Sequence, residues 1–233
     1  MPGVHYWVRE VNVVSRAITE EHLGWYDDLN LPEKIVEAAG NPKDTAFMSL
    51  QAATGLRPTQ AIHLMVRDID FEKERLSIVC LKEPSRIDCP DCGERLAKKH
   101  RFCPVCGNQV ARPIRDRIEE QHYRIIPVYR RTLTDIEQYL NWRQRFSYQG
   151  PLLFPFSRQR AWQITERVGR RAGLRGLHPE TLRNLLAARW VHKGLDVNKL
   201  RFLLGYRLST AGSSLHFSFE ELQSEYQKLW ETR

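Results

Sequence analysis

The chain has 233 residues, of which 42% are hydrophobic and 27% charged, and it carries a formal net charge of +8. That length supports one sizeable core, or one domain with a small inserted module. No apolar run is long enough to cross a bilayer, and the opening MPGVHYWVRE lacks a signal peptide's apolar stretch, so the expectation is a soluble cytoplasmic protein with no membrane partner.

In chain order, the first clear element is Asp44 to Ala53 (DTAFMSLQAA), whose apolar spacing is helical and which stops at Gly55, a residue suited to a C-terminal cap. Pro58 opens a second, short helix over PTQAIHLM. DIDFEKE then turns into Arg75 to Leu81 (RLSIVCL), and later His122 to Val128 (HYRIIPV) is again strand-like. These two strands are expected to pair as one long hairpin, with everything between them at its tip.

That tip carries four of the five cysteines. Cys89, Cys92, Cys103 and Cys106 read C-x2-C, ten residues, then C-x2-C, and each pair sits in Cys-Pro-x-Cys-Gly, where glycine lets the backbone turn its amides toward the thiolates. Four thiolates at this spacing suit a closed, tetrahedral, structural Zn²⁺ site. A ribbon this short has almost no core, so the metal must supply most of its folding free energy, roughly 10 kcal/mol or more. Two disulfides would suit a secreted protein better. An iron centre uses the same ligands, and spacing does not separate the two metals. The fifth cysteine, Cys80, lies in the apolar strand and reads as a core residue.

The remainder is helical. Thr134 is expected to begin a helix reaching about Phe146, and Ser157 to cap another through Arg171, broken by Gly173. Leu182, Leu185, Leu186 and Trp190 form one apolar stripe, Asp196 caps DVNKLRFLLG, and a last helix runs from Phe219 to Trp230. The fold class is therefore mainly α with a small antiparallel β-hairpin (α+β). Three regions are expected: an N-terminal extension over 1–30, a principal domain over 31–230, and a zinc ribbon over 83–118 interrupting it.

The positive charge is confined. Arg158 to Arg207 holds twelve Arg or Lys against Glu166, Glu180 and Asp196, a net +9, while the stretch from Leu208 onward is net −2. A solvated helix face is the plainer explanation, but twelve against three is lopsided for one; a face turned toward a polyanion fits better, with DNA or RNA the leading candidates.

Taken in order, these segments resemble the catalytic domain of the tyrosine recombinase (phage integrase) family. TGLRPTQAIHLMVRDIDFEKERLSIV at 54–79 resembles the first arginine box and the strand after it. HYRIIPV resembles the returning strand of the family's lysine hairpin. HPETLRNLLAARWVHKGLDVNKLRFLLGY at 178–206 resembles the second arginine box and its leucine–glycine turn, and SSLHFSFEELQSEYQKLW at 213–230 resembles the nucleophile segment and closing helix.

The resemblance implies a chemistry without a metal. Two arginines grip a scissile phosphate, a tyrosine attacks it, and a phosphotyrosyl link conserves the bond energy for rejoining. By position, Arg57 matches the first arginine and Arg183 the second, each suited to bidentate phosphate binding. Lys82 stands near the family lysine. Glu180 occupies the place of a histidine, with His178 displaced by two residues; Tyr206 occupies that of the usual His or Trp, and Phe217 that of the nucleophile. Phenylalanine has no oxygen to attack phosphorus, and Glu180 repels a phosphate where an imidazole would help. A structural salt bridge with Glu180 is the plainer alternative role for Arg183.

The leading expectation is thus a DNA-binding member of that family without strand cleavage, contacting double-stranded DNA through Arg57, Lys82, Arg158, Arg160, Arg183 and Arg207. One alternative is a working recombinase or integrase with a relocated nucleophile, for which Tyr226, Ser213, Ser214 and His216 are candidates. Another is an adapter whose ribbon binds RNA or a protein. The ribbon or the last helix is the expected surface for a homo-oligomer or protein partner. About thirty residues precede Leu31, fewer than the helical domain that usually completes the family's clamp, which implies weaker, salt-sensitive binding.

Overall fold

A computed structural model describes residues 25, 28, 30–80, 87–89, 91–96, 100–109, 122–146, 150–206 and 217–231. The chain divides into two compact units, one formed by 1–78 with 125–233 and the other by 79–124.

The larger unit is built around one buried helix. A first helix α1 (Leu31–Glu37) precedes α2 (Pro42–Thr54), where nearly every residue from Ala46 to Thr54 is inaccessible to solvent. Asn41 caps α2 by accepting from the Asp44 amide at 3.0 Å. Asp44, fully buried, is balanced by Arg167 at 2.5 Å. The short helix α3 (Pro58–His63) and a 3₁₀ turn (Val66–Asp68) lead into a sheet of order β1-β2-β5, with β1 (Ile69–Asp70), β2 (Arg75–Cys80) and β5 (His122–Pro127). β1 and β2 are antiparallel, Ile69 facing Leu76 and Asp70 facing Arg75. The two strands expected to form a hairpin are therefore neighbours. The side chain of Cys80 lies outside the described residues.

Helix α4 (Arg130–Gln144) starts four residues before the expected Thr134. No side chain caps it, so the sequence carries no start signal; the first turn is held by packing, with Thr132 and Leu133 buried and Ser49 Oγ 3.1 Å from Thr132 Oγ1. Helix α5 (Arg158–Arg171) begins at Ser157, whose hydroxyl accepts from the Arg160 amide, as expected.

Helix α6 (Pro179–His192) departs from a single apolar stripe. Leu182, Leu185, Leu186 and Trp190 are buried, but so are Arg183, Asn184, Ala187 and Arg189, because neighbours cover the helix on most sides. Helix α7 (Val197–Leu204) is capped by Asp196, which accepts from the amides of Asn198 and Lys199. The last helix, α8 (Phe219–Glu231), buries Leu222, Tyr226 and Leu229. Among the described residues no helix is long and apolar enough to cross a membrane.

The smaller unit holds strands β3 (Ile87–Asp88) and β4 (Arg95–Leu96), antiparallel with Ile87 opposite Leu96, and a bridge between Phe102 and Gln109. Its buried apolar cluster consists of Cys89, Leu96 and Cys103 among the described residues.

Candidate functional site: an arginine cradle and a four-cysteine cluster

The cradle begins with two helix ends. Helix α2 stops at Gly55, at φ 60°, where a Cβ would stand 2.5 Å from Leu204 Cδ2. Helix α7 stops at Gly205, at φ 70°. Both conformations are left-handed and cheap for glycine alone. With their chains turned this way, the Gly55 and Leu204 carbonyls converge on one side chain, Arg183.

Arg183 lies in the second turn of α6 and is 2% exposed. Its Nη1 donates to the Gly55 carbonyl, its Nη2 to the Leu204 carbonyl at 2.6 Å, and its Nε to the Tyr206 hydroxyl at 3.2 Å. A buried cation needs compensation, and here two helix C-termini, each with its partial negative charge, supply it. Burial lowers the Arg183 pKa from its usual value; Tyr206 opposes that shift, the Arg57 charge reinforces it, and Glu180 opposes it through space. A structural salt bridge between Glu180 and Arg183, the plain alternative from the sequence, is replaced by these carbonyl bonds.

Arg57 reaches the same place from the N-terminus of α3. It is the N-cap residue, in extended conformation, and its amide donates to Gln60 Oε1 at 3.1 Å, while its side chain is exposed. Tyr206 connects the two arginines: Arg183 Cζ lies 4.6 Å from the ring centroid and Arg57 Cζ 5.9 Å. The structure therefore gathers Arg57, Arg183 and Tyr206, with Glu180 near enough to act electrostatically on Arg183. His178 is the N-cap of α6, its Nδ1 accepting from the Thr181 amide at 3.4 Å.

Phe217 is half-buried. It packs edge-on against Phe202 at 5.9 Å, with Lys199 Nζ 5.9 Å from its ring. That lysine is 11% exposed and ion-paired to Glu221 and Glu225. Tyr226 is 1% exposed, and its hydroxyl donates to the Ala53 carbonyl at 2.8 Å; burial pushes its pKa well above the ordinary phenol range. Arg158 and Arg160 stand exposed in the first turn of α5. Lys82, Arg207, Ser213, Ser214 and His216 lie outside the described residues, as do parts of 83–118.

The sequence missed the partners of Arg183. The glycines that close ATG and LLG, Gly55 and Gly205, signalled two helix ends, but nothing local signalled that both ends meet one guanidinium.

In the smaller unit the Cys89, Cys92, Cys103 and Cys106 sulfurs lie within 4.8 Å of one another. Cys89 and Cys106 are 3.6 Å apart, and Cys92 and Cys103 3.5 Å. Metal–sulfur bonds of about 2.3 Å in a tetrahedron place sulfurs about 3.8 Å apart, so the cluster fits one metal ion. The two knuckles repeat one design. Gly93 and Gly107, at φ 71° and 72°, donate their amides to the carbonyls of Cys89 and Cys103, and the Cys89 and Cys103 amides bond to Glu94 and Asn108. The Cys106 and Val105 amides, donating to the Cys103 sulfur, pull that thiol down to about 7, whereas burial and the neighbouring thiols push those of Cys92 and Cys106 up. A cation held among the four sulfurs would favour the thiolate at each.

Comparison with known proteins gives a consistent result. Residues 30–211 match the model of the phage integrase family. The chain is 26% identical over 188 residues to tyrosine recombinase XerA of Pyrococcus horikoshii, covering 76% of this chain and 52% of that protein. It is 22% identical over 216 residues to tyrosine recombinase XerC of Staphylococcus carnosus, covering 88% and 60%. The chain thus spans about half the length of the curated relatives it matches. Its fold is similar to that of the XerA recombinase crystal structure, with a TM-score of 0.57 at 16% identity over 94% of this chain and 66% of that one. It is also similar to XerH site-specific recombinase bound to its difH substrate before cleavage, with a TM-score of 0.53 at 15% identity, over 92% and 50%.

Proposed function

We propose that this chain, which belongs to the phage integrase family, binds duplex DNA through a phosphate cradle of Arg57 and Arg183 and does not cut the strand it holds. One observation carries the reading: two guanidinium groups meet at the Tyr206 ring, while the position matching the family's nucleophile holds Phe217. Forming a phosphotyrosyl link requires a phenol oxygen to displace the 5′ oxygen at phosphorus, and a benzyl side chain has none. Relocation to Tyr226 is disfavoured, because its hydroxyl is committed to Ala53 in the core and burial opposes its ionisation.

Binding draws on the basic segment Arg158 to Arg207, and the exposed Arg158 and Arg160 stand ready to neutralise neighbouring phosphates. Lys82 and Arg207, which lie outside the described residues, are proposed as further DNA contacts from their sequence positions alone. The four cysteines are assigned to one structural Zn²⁺, which supplies a rigid link between two knuckles and no chemistry on DNA.

A duplex nicked so that cleavage becomes irreversible tests the absence of cutting. The expected result is no covalent protein–DNA adduct from the parent protein; an adduct on any residue would overturn the reading. Titration with labelled duplex tests the cradle. Arg57→Ala should weaken binding roughly tenfold and make the salt dependence shallower by about one phosphate contact, while Phe217→Ala binds as the parent does. Arg57 is the informative arginine, because Arg183 also holds helix ends together.

A further inference from the structure

The two cysteine knuckles share a backbone and differ in what they display. In each, the residue before the first cysteine is paired with the second residue after the glycine, Asp88 with Arg95 and Phe102 with Gln109. Each turns at a left-handed glycine whose amide bonds to the carbonyl of the first cysteine. The first knuckle holds Asp88, Asp91 and Glu94 where the second holds Phe102, Val105 and Asn108. Because acidic residues fill those places in the same turn, neither the turn nor the metal site requires an aromatic ring. Yet Phe102 is 58% exposed and Val105 66%, with Pro104 exposed between them. Charge divides the same way. The sequence from 98 to 109 has Lys98, Lys99 and Arg101 and no Asp or Glu, whereas 87 to 96 sets three acids against Arg95.

Three exposed apolar side chains cover about a few hundred Å² at most, short of the roughly 1,000 Å² that a stable protein partner needs. An unpaired base asks for less: one aromatic face, a hydrogen-bonding neighbour, and a surface that does not repel phosphate. Phe102 offers the face. Gln109 opposes it across the bridge, and residues opposed in this way stand side by side on one face. A duplex hides its base faces, so the strand has to be single. We infer that the second knuckle is a binding site for single-stranded DNA, where a base stacks on Phe102 and the Gln109 amide bonds its edge. The site stands apart from the Arg57 and Arg183 cradle. Only the choice of DNA over RNA rests on the DNA-binding reading above, because a chain held on DNA meets its single strands at high local concentration.

Fluorescence anisotropy with the full, metal-replete chain and a labelled oligothymidylate tests the site. Phe102→Ala should weaken binding roughly tenfold, the loss of one base–aromatic stack. Phe102→Tyr, which keeps a ring, should stay within about twofold of the parent. A labelled duplex should bind the parent and both variants alike. Parental oligothymidylate affinity in Phe102→Ala would overturn the inference and leave the knuckle's apolar residues to a protein partner. Equal losses on duplex and single strand would overturn it too, since they report general damage to the chain. Tighter binding of oligouridylate than of oligothymidylate would overturn the assignment to DNA. The cradle is judged separately: it falls if Arg57→Ala binds duplex as the parent does, and the Phe102 results stand whichever way that goes. In the unsubstituted protein, NMR should show the Phe102 ring protons moving upfield on addition of oligothymidylate while the Gly93 amide stays in place. Unmoved Phe102 resonances overturn the inference without any variant having to fold.

Discussion

The two compact units both bring like-charged groups close together, and they do it by opposite means. In the larger unit two cations approach one aromatic ring, and the buried one is compensated by carbonyls at the ends of α2 and α7. In the smaller unit four thiolate-forming side chains cluster within 4.8 Å, an arrangement suited to a cation held among them. The first is balanced by its own backbone; the second is proposed to take its balance from a bound cation. Apolar burial runs parallel. The larger core reaches from Leu31 to Leu229, whereas the smaller holds Cys89, Leu96 and Cys103 among the described residues.

Metal removal breaks this comparison most strongly. Chelation should unfold 79–124 while leaving the larger unit's helices intact, since a structural zinc contributes roughly 10 kcal/mol or more to such a ribbon. Segment-resolved hydrogen exchange before and after chelation decides it, and amides of β3 and β4 that stay protected in the stripped protein would refute a metal-dependent ribbon. Metal analysis should return one zinc per chain, and iron would correct the assignment.

Next in size is Arg183→Met. It leaves the Gly55 and Leu204 carbonyls without their cation inside a packed core, and should cost about 3 kcal/mol. The drop in thermal midpoint measures it. An unchanged midpoint would mean the guanidinium is dispensable to the fold and exists for ligand alone.

Tyr226→Phe is the smallest. One buried hydrogen bond to Ala53 is lost while the ring packing with Trp190 remains, so the expected cost is about 1 kcal/mol, with duplex binding unchanged. If this variant instead abolished a covalent DNA adduct formed by the parent, Tyr226 would be a nucleophile and the non-cutting reading would be wrong.

The legible parts of the molecule were those encoded locally. Asn41, Ser157 and Asp196 cap their helices with their own side chains, Gly55 and Gly205 end theirs, and the cysteine pairs carry their turns within five residues. The beginning of α4 was not legible, because Arg130 follows a Tyr129 that makes no side-chain cap and the first turn is stabilised by Ser49, far away in sequence. The same holds for Arg183. Its sequence neighbour Glu180 suggested an ion pair, whereas its actual partners come from 128 residues before it and 21 after it. Burial around α6 was underestimated for a similar reason: Asn184 and Arg189 look solvent-facing until the elements around them are placed, with Arg189 meeting Glu33 at 2.7 Å.

The left-handed turns at Gly55 and Gly205 carry one last consequence. Because they aim two helix ends at a single guanidinium, that side chain works as a keystone of the fold, whatever else it is proposed to hold. A lineage that gave up breaking strands would still be unable to part with it, so meeting this arginine in a sequence testifies to architecture first and to chemistry second.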